Sequence, residues 1–197
     1  MFCGFRHRSD GDFALQNQPQ FHRKGSFRYA KAMVINMSEK NTCCFFGHRT
    51  INETEELKTK LYETIERLIT DEKVDTFLFG SKSRFDSLCL ELVTKIKEKH
   101  PHIKRIYVRA EFPIINDDYK AYLLKSYDDT YYPKKILGSG RAVYVERNCE
   151  MINRSRFCIV YYDGQSVTTT RKSGTKIALY YAINHKKQII VFTPEIR

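Results

Sequence analysis

Three short stretches place small residues where an apolar run gives way to a helical pattern: Gly47-His48-Arg49, Gly80-Ser81-Lys82-Ser83 and Ser173-Gly174-Thr175. At such a strand-to-helix junction backbone amides approach an anion closely, and the helix N-terminus behind them adds partial positive charge. A phosphate-bearing ligand is the chemistry this pattern fits. Turns favour small residues for steric reasons alone, so the weight lies in the repetition along one sheet edge.

Each flanking residue has a ligand role and a structural one. Arg49 can fork onto a phosphate or carboxylate, or pair with Asp86 or Glu146. His48 is a ligand contact or a structural hydrogen-bonder. The Gly80 stretch lacks the Gly-x-x-x-x-Gly-Lys-Ser/Thr spacing that wraps a triphosphate, which leaves Gly80, Ser81 and Lys82 as donors to a monophosphate or ribose, with Asp86 a ligand or a helix cap. Arg147 and Asn148 offer donors to a base or phosphate, or tie their helix to a neighbouring loop. Asp163 can accept from ribose hydroxyls, although Asp163-Gly164 is also a turn signal. Arg171 and Lys172 precede a helix N-terminus whose dipole repels cations, so a bound anion would account for them; Ser173 or Thr175 acting only as a cap is the alternative.

The elements that must hold these residues follow from periodicity. Strands are predicted to begin near Thr42, Asp75, Ile103, Phe157 and Gln188. Between them, helical spacing is carried by Leu57, Leu61, Ile65 and Leu68, by Phe85, Leu88, Leu92, Val93 and Ile96, by a short stretch from Tyr119 to Lys125, by Val143 to Ile152, and by Ile177, Ala178, Tyr181 and Ala182. Residues 130–140, with Pro133, Gly138 and Gly140, read as irregular. Strands separated by helices imply parallel pairing through right-handed crossovers, hence an α/β fold: an open, mainly parallel five-stranded sheet with helices on both faces. Ligands of such sheets sit beyond the carboxyl ends of the strands, where strand order reverses.

Composition narrows the function. The 197 residues suit one domain, and residues 1–36 show neither period, so they are expected to form a disordered or loosely docked arm ahead of a domain over residues 37–197. Met37 followed by Ser-Glu-Lys-Asn reads like a second N-terminus, which suggests an arm added from an upstream start. The arm lacks the apolar region of a signal peptide, and Asp10 and Asp12 are unlike a transit peptide. Net charge is +11; six basic and two acidic residues fall in the arm, which leaves +7 for the rest. That balance favours anionic partners, either phosphorylated small molecules or nucleic acid. No apolar run is long enough for a membrane span. Six cysteines without a CxxC pair read as reduced, buried thiols of a cytoplasmic protein, not as a metal site.

Cys43-Cys44-Phe45-Phe46-Gly47-His48-Arg49, Phe79-Gly80-Ser81-Lys82-Ser83-Arg84-Phe85-Asp86-Ser87-Leu88, Tyr144-Val145-Glu146-Arg147-Asn148, Tyr161-Tyr162-Asp163 and Ser173-Gly174-Thr175-Lys176 resemble the YpsA-like branch of the bacterial SLOG superfamily. The resemblance runs from about Thr42 to Phe192. It implies a Rossmann-like fold and a nucleotide-type ligand, since the superfamily includes the Lonely-guy phosphoribohydrolases and the DNA-handling DprA proteins. One departure bears on activity: alignment of Gly174-Thr175 with the Gly-Thr of the Lonely-guy Pro-Gly-Gly-x-Gly-Thr-x-x-Glu run puts Ala178 at the catalytic glutamate. Alanine cannot shuttle a proton, so phosphoribohydrolase activity is not expected.

These features support a nucleotide-binding sensor or regulator first. A hydrolase of an N-glycosidic or phosphate bond, with Glu111 or Asp86 as acid or base, is the second reading. The third is nucleic-acid binding in the manner of the DprA relatives; no basic stripe interleaved with aromatics is visible after Met37 to favour it.

Overall fold

In a computed structural model, residues 39–80, 82–163 and 173–194 are described. The arm expected over residues 1–36 lies outside them, as do Ser81, Arg171 and Lys172.

The apolar run Thr42–Gly47 forms β1, and the segments that follow alternate: α1 (Glu55–Thr70), β2 (Thr76–Phe79), α2 (Arg84–Lys99), β3 (Lys104–Val108), α3 (Asp117–Leu124), β4 (Asp129–Tyr131), α4 (Ala142–Asn153), β5 (Phe157–Tyr161), α5 (Gly174–Asn184) and β6 (Gln188–Phe192). All pairings are parallel and the order is β4-β3-β2-β1-β5-β6. Among the described residues the sheet therefore has six strands, not five. The sixth, β4, is three residues long, at an edge, and overlaps the start of the stretch expected to be irregular. The predicted α/β, Rossmann-like, parallel architecture holds.

Helix starts are set locally. Thr54 accepts from the Leu57 amide at 3.1 Å, Ser83 from Asp86 at 3.1 Å, and Asn116 from Tyr119 at 2.9 Å, each satisfying an otherwise orphaned donor. Strand alternation then divides the core. Cys43 and Phe45 of β1 face α1 and α2, in a cluster with Leu61, Ile65, Phe79 and Phe85. Phe45 stacks on Phe79 at 5.0 Å and on Phe77 at 5.9 Å. Cys44 and Phe46 point to the opposite face, where Met151 and Ile152 of α4 and Ala178 and Ala182 of α5 are also buried. Cys43, Cys44, Cys89 and Cys158 are free and fully buried, and Cys149 is partly exposed. Cys44 and Cys158 are registered neighbours with sulfurs 3.5 Å apart. Among the described residues no helix is long and apolar enough to cross a membrane, and no cluster of ligating side chains suits a metal ion.

Candidate functional site

Strand order reverses at β1, which lies between β2 and β5. Every strand being parallel, the segments after β1, β2, β3, β4 and β5 all emerge at one edge. That edge collects Gly47, His48, Arg49, Gly80, Lys82, Glu111 and Asp163, with the N-terminus of α4 beside them.

The glycines at 47 and 80 have an internal explanation. A Cβ at Gly47 would lie 2.4 Å from the Phe85 side chain, which packs over that point from the first turn of α2. A Cβ at Gly80 would lie 2.4 Å from Nη1 of Arg147. Close packing thus accounts for both residues whether or not an anion approaches them. Gly174 differs, since an added Cβ would meet no atom within 4 Å. Ser173 occupies the N-cap position of α5 but makes no capping hydrogen bond with its side chain, so the capping alternative is not realised at Ser173.

Arg147 is turned inward. It is only 3% exposed; Nη1 donates to the Gly80 carbonyl and, at 3.2 Å, to that of Val108, while Nε donates to Asn148 Oδ1 at 2.9 Å. Burial lowers its pKa, and the nearby Asp86 carboxylate opposes that shift. Arg147 therefore locks α4 onto the ends of β2 and β3. Arg147 makes the tie between helix and neighbouring segments, while Asn148 accepts from Arg147 within the same helix. Asp86 is itself 2% exposed, in the first turn of α2.

His48 is also committed: Nε2 accepts from the Asp163 amide at 3.0 Å, which leaves the proton of the neutral ring on Nδ1, and the ring stacks on Tyr162 at 5.7 Å. The histidine pins the end of β5 to that of β1. Neither Asp86 nor Glu146 pairs with Arg49; Glu146 accepts instead from the amides of Leu137 and Gly138, at 2.7 and 2.9 Å. Arg49 and Lys82 are exposed and make no ion pair or side-chain hydrogen bond among the described residues. Their loops adjoin, since the Arg84 amide donates to the Arg49 carbonyl at 3.1 Å, and Arg84 bridges Glu53 at 2.6 Å and Glu91 at 2.8 Å. Glu111 is exposed and accepts from the Tyr144 hydroxyl, a bond that, more than any other contact, raises the Tyr144 pKa; the Arg49 charge acts on the same phenol in the opposite sense. Ala178 is buried at 2% exposure, so the position aligned with the Lonely-guy glutamate presents no side chain to the edge.

Sequence reasoning missed the residues that turn this edge into a surface. Residues 132–141, which follow β4, carry exposed Lys134, Lys135 and Arg141, and the segment after β3 carries exposed Phe112 and leads to Tyr119 and Lys120. Beside the edge, between α1 and β6, a cavity of about 440 Å³ is lined by Leu57, Lys60, Glu63, Tyr161, Ile190 and Phe192 among others.

No family model matches this chain. Two solved structures share its fold. DNA processing protein A (DprA) from Streptococcus pneumoniae superposes with a TM-score of 0.51 at 13% identity over 79% of this chain, which spans about half (51%) of the DprA chain. DprA from Helicobacter pylori, described with a single-stranded DNA binding mode, gives a TM-score of 0.53 at 16% identity over 81% of this chain and 68% of its own. In sequence, the uncharacterized SPbeta prophage-derived protein YoqJ of Bacillus subtilis (strain 168) is 31% identical over 142 residues, covering 64% of this chain and 80% of YoqJ. At that identity and coverage, the chain belongs to the family of the prophage-derived protein YoqJ.

Proposed function

We propose that the protein binds single-stranded nucleic acid along the carboxyl edge of its sheet. The observation that carries this reading is the set of exposed cations without partners among the described residues, Arg49, Lys82, Lys134, Lys135 and Arg141, which three separate connections deliver to one edge. Charges left unpaired in this way suit a polyanion, whose condensed counterions are released on binding. The net charge of +11 agrees with such a partner. The single-stranded DNA binding ascribed to the Helicobacter DprA, which shares the fold, supports a nucleic acid over a free nucleotide. The motifs that resemble the YpsA-like branch lie at the same edge, and we place the chain in that branch as part of the proposal.

Fluorescence anisotropy with a labelled single-stranded 15-mer, read across a salt series, tests the reading. Affinity should fall steeply with salt, with a log–log slope of about 0.7 per phosphate contacted. Arg49→Ala combined with Lys82→Ala should lower that slope by roughly 1.4, two contacts at about 0.7 each, and weaken binding roughly tenfold. Absence of binding at low salt, or a slope near zero, would refute the proposal. A free nucleotide at the same edge, the reading first drawn from the sequence, is separated by competition: displacement of the 15-mer by micromolar mononucleotide would favour it.

A further inference from the structure

The same edge continues into a surface that phosphate contacts do not explain. Phe112, Tyr119, Tyr122 and Tyr144 are exposed by 63%, 36%, 65% and 42%. They sit on the segment after β3, on the outer face of α3 and at the start of α4. Leu123 is the buried residue of α3, so most of that short helix is turned away from the core. Its Tyr119 and Tyr122 rings lie 6.2 Å apart and 13° from parallel, like two steps of a stack. Water-facing aromatic rings on this scale are a standing cost unless a partner covers them.

Two further observations say what the partner is. Phe112 has φ of 57°, a left-handed conformation that bulky side chains rarely adopt. It is held there by Arg109, whose Nη1 donates to the carbonyls of Phe112 at 2.7 Å and Pro113 at 3.3 Å. The backbone is thus constrained while the ring projects outward. The charges around the rings are complementary to a polyanion: Lys120, Lys134, Lys135 and Arg141 are exposed without partners among the described residues. Of the acids of the region, Glu111 and Asp128 are engaged and Asp117 and Asp118 are exposed. Glu111 accepts from Tyr144, Asp128 bridges Lys97 and Arg105 at 3.1 Å each, and Asp117 and Asp118 lie in the first turn of α3, where the helix dipole favours them.

Resting on the nucleic-acid reading above, we infer that the bases of a bound single strand stack on Tyr144, Phe112, Tyr119 and Tyr122 while its phosphates follow the flanking cations. From β1 to β4 the edge spans three inter-strand steps, about 14 Å. The rings on α3 extend it by roughly a helical turn, about 5 Å. Stacking tolerates any base, because each has a π face, so the surface reads strandedness and not sequence. Duplex DNA, whose bases are already stacked on one another, gains nothing from the rings.

The test compares a labelled oligothymidylate with an abasic oligonucleotide of the same length on the full chain, by anisotropy at fixed salt. Wild type should bind the base-bearing strand at least tenfold tighter. Tyr119→Leu combined with Tyr122→Leu should lose about tenfold on oligothymidylate, with abasic binding and the salt slope unchanged; Phe112→Ala provides a second, independent ring removal with the same signature. Unaltered thermal midpoints confirm that the exposed substitutions leave the fold intact. If wild type binds both oligonucleotides equally, stacking is refuted and nucleic-acid binding stands. If it binds neither, both fall. If the double variant instead turns a dimer into a monomer and binds both strands as before, the face is a protein interface and the inference is overturned.

Discussion

Gly80→Ala should destabilise the protein strongly although it adds one methyl group. The new Cβ would stand 2.4 Å from Nη1, 2.7 Å from Cζ and 2.9 Å from Cδ of Arg147. Relief requires the guanidinium to retreat by about 1 Å to reach ordinary contact distance. It cannot retreat freely, being 3% exposed and bonded to the Gly80 and Val108 carbonyls. Breaking a buried charge away from its partners costs about 3–5 kcal/mol. Because the bonds to Gly80 and Val108 would stretch and not vanish, we expect about 3 kcal/mol. For a domain of this size that is roughly 6–12 °C in thermal midpoint. Circular dichroism melts and urea titrations would measure it, with Gly174→Ala as the control, since a Cβ there meets nothing within 4 Å. In an Arg147→Met background the cost of Gly80→Ala should fall below about 0.5 kcal/mol, the signature of direct coupling. A midpoint within 2 °C of wild type for Gly80→Ala, or an undiminished cost in the Arg147→Met background, would refute the packing explanation of this glycine.

Two further outcomes follow from the same geometry. Burial raises the Asp128 carboxyl, but hydrogen bonds from Arg105 and Lys97 outweigh it and hold the pKa down to about 2, below the ordinary 3.8. The pair's contribution is therefore complete above about pH 4 and lost as pH falls toward 2; solvent screening keeps it to about 1 kcal/mol. Asp128→Asn should flatten the loss of stability across that window in urea titrations, and a variant whose acid limb matches wild type would contradict it. Burial likewise pushes the Cys43, Cys44 and Cys89 thiols well up, and Cys158 is equally buried. Mass spectrometry after alkylation at pH 8 should find all four unmodified in the folded protein and modified in urea; labelling of any of them without denaturant would contradict the placement of β1, α2 and β5.

What could be read from the sequence, and what could not, divides by range. Leu57, Leu61, Ile65 and Leu68 repeat at helical spacing within one segment, so α1 was legible, as were the other helices and five strands. Asp129-Thr130-Tyr131 is too short and polar to register as a strand; only pairing with β3 makes it one. The site failed to show for the same reason. Whether Gly80 serves a phosphate or Arg147 depends on a contact between residues 67 positions apart. The aromatic and basic surface is assembled by topology from segments after β1, β2, β3 and β4, so no contiguous stripe exists in the sequence. Arg49 could be recognised as an exposed cation only once Glu146 was seen bonded to Leu137 and Gly138.

Hydrogen–deuterium exchange with and without a saturating single-stranded oligonucleotide tests the central claim most directly, because it locates the bound strand on the fold. Protection should concentrate on residues 47–50, 82–84, 109–113, 117–122 and 140–145, all at the carboxyl edge or on α3, and leave residues 71–75, 100–103 and 153–156 at the opposite edge unchanged. Protection centred on that opposite edge, or exchange unaltered at saturation, would contradict the account.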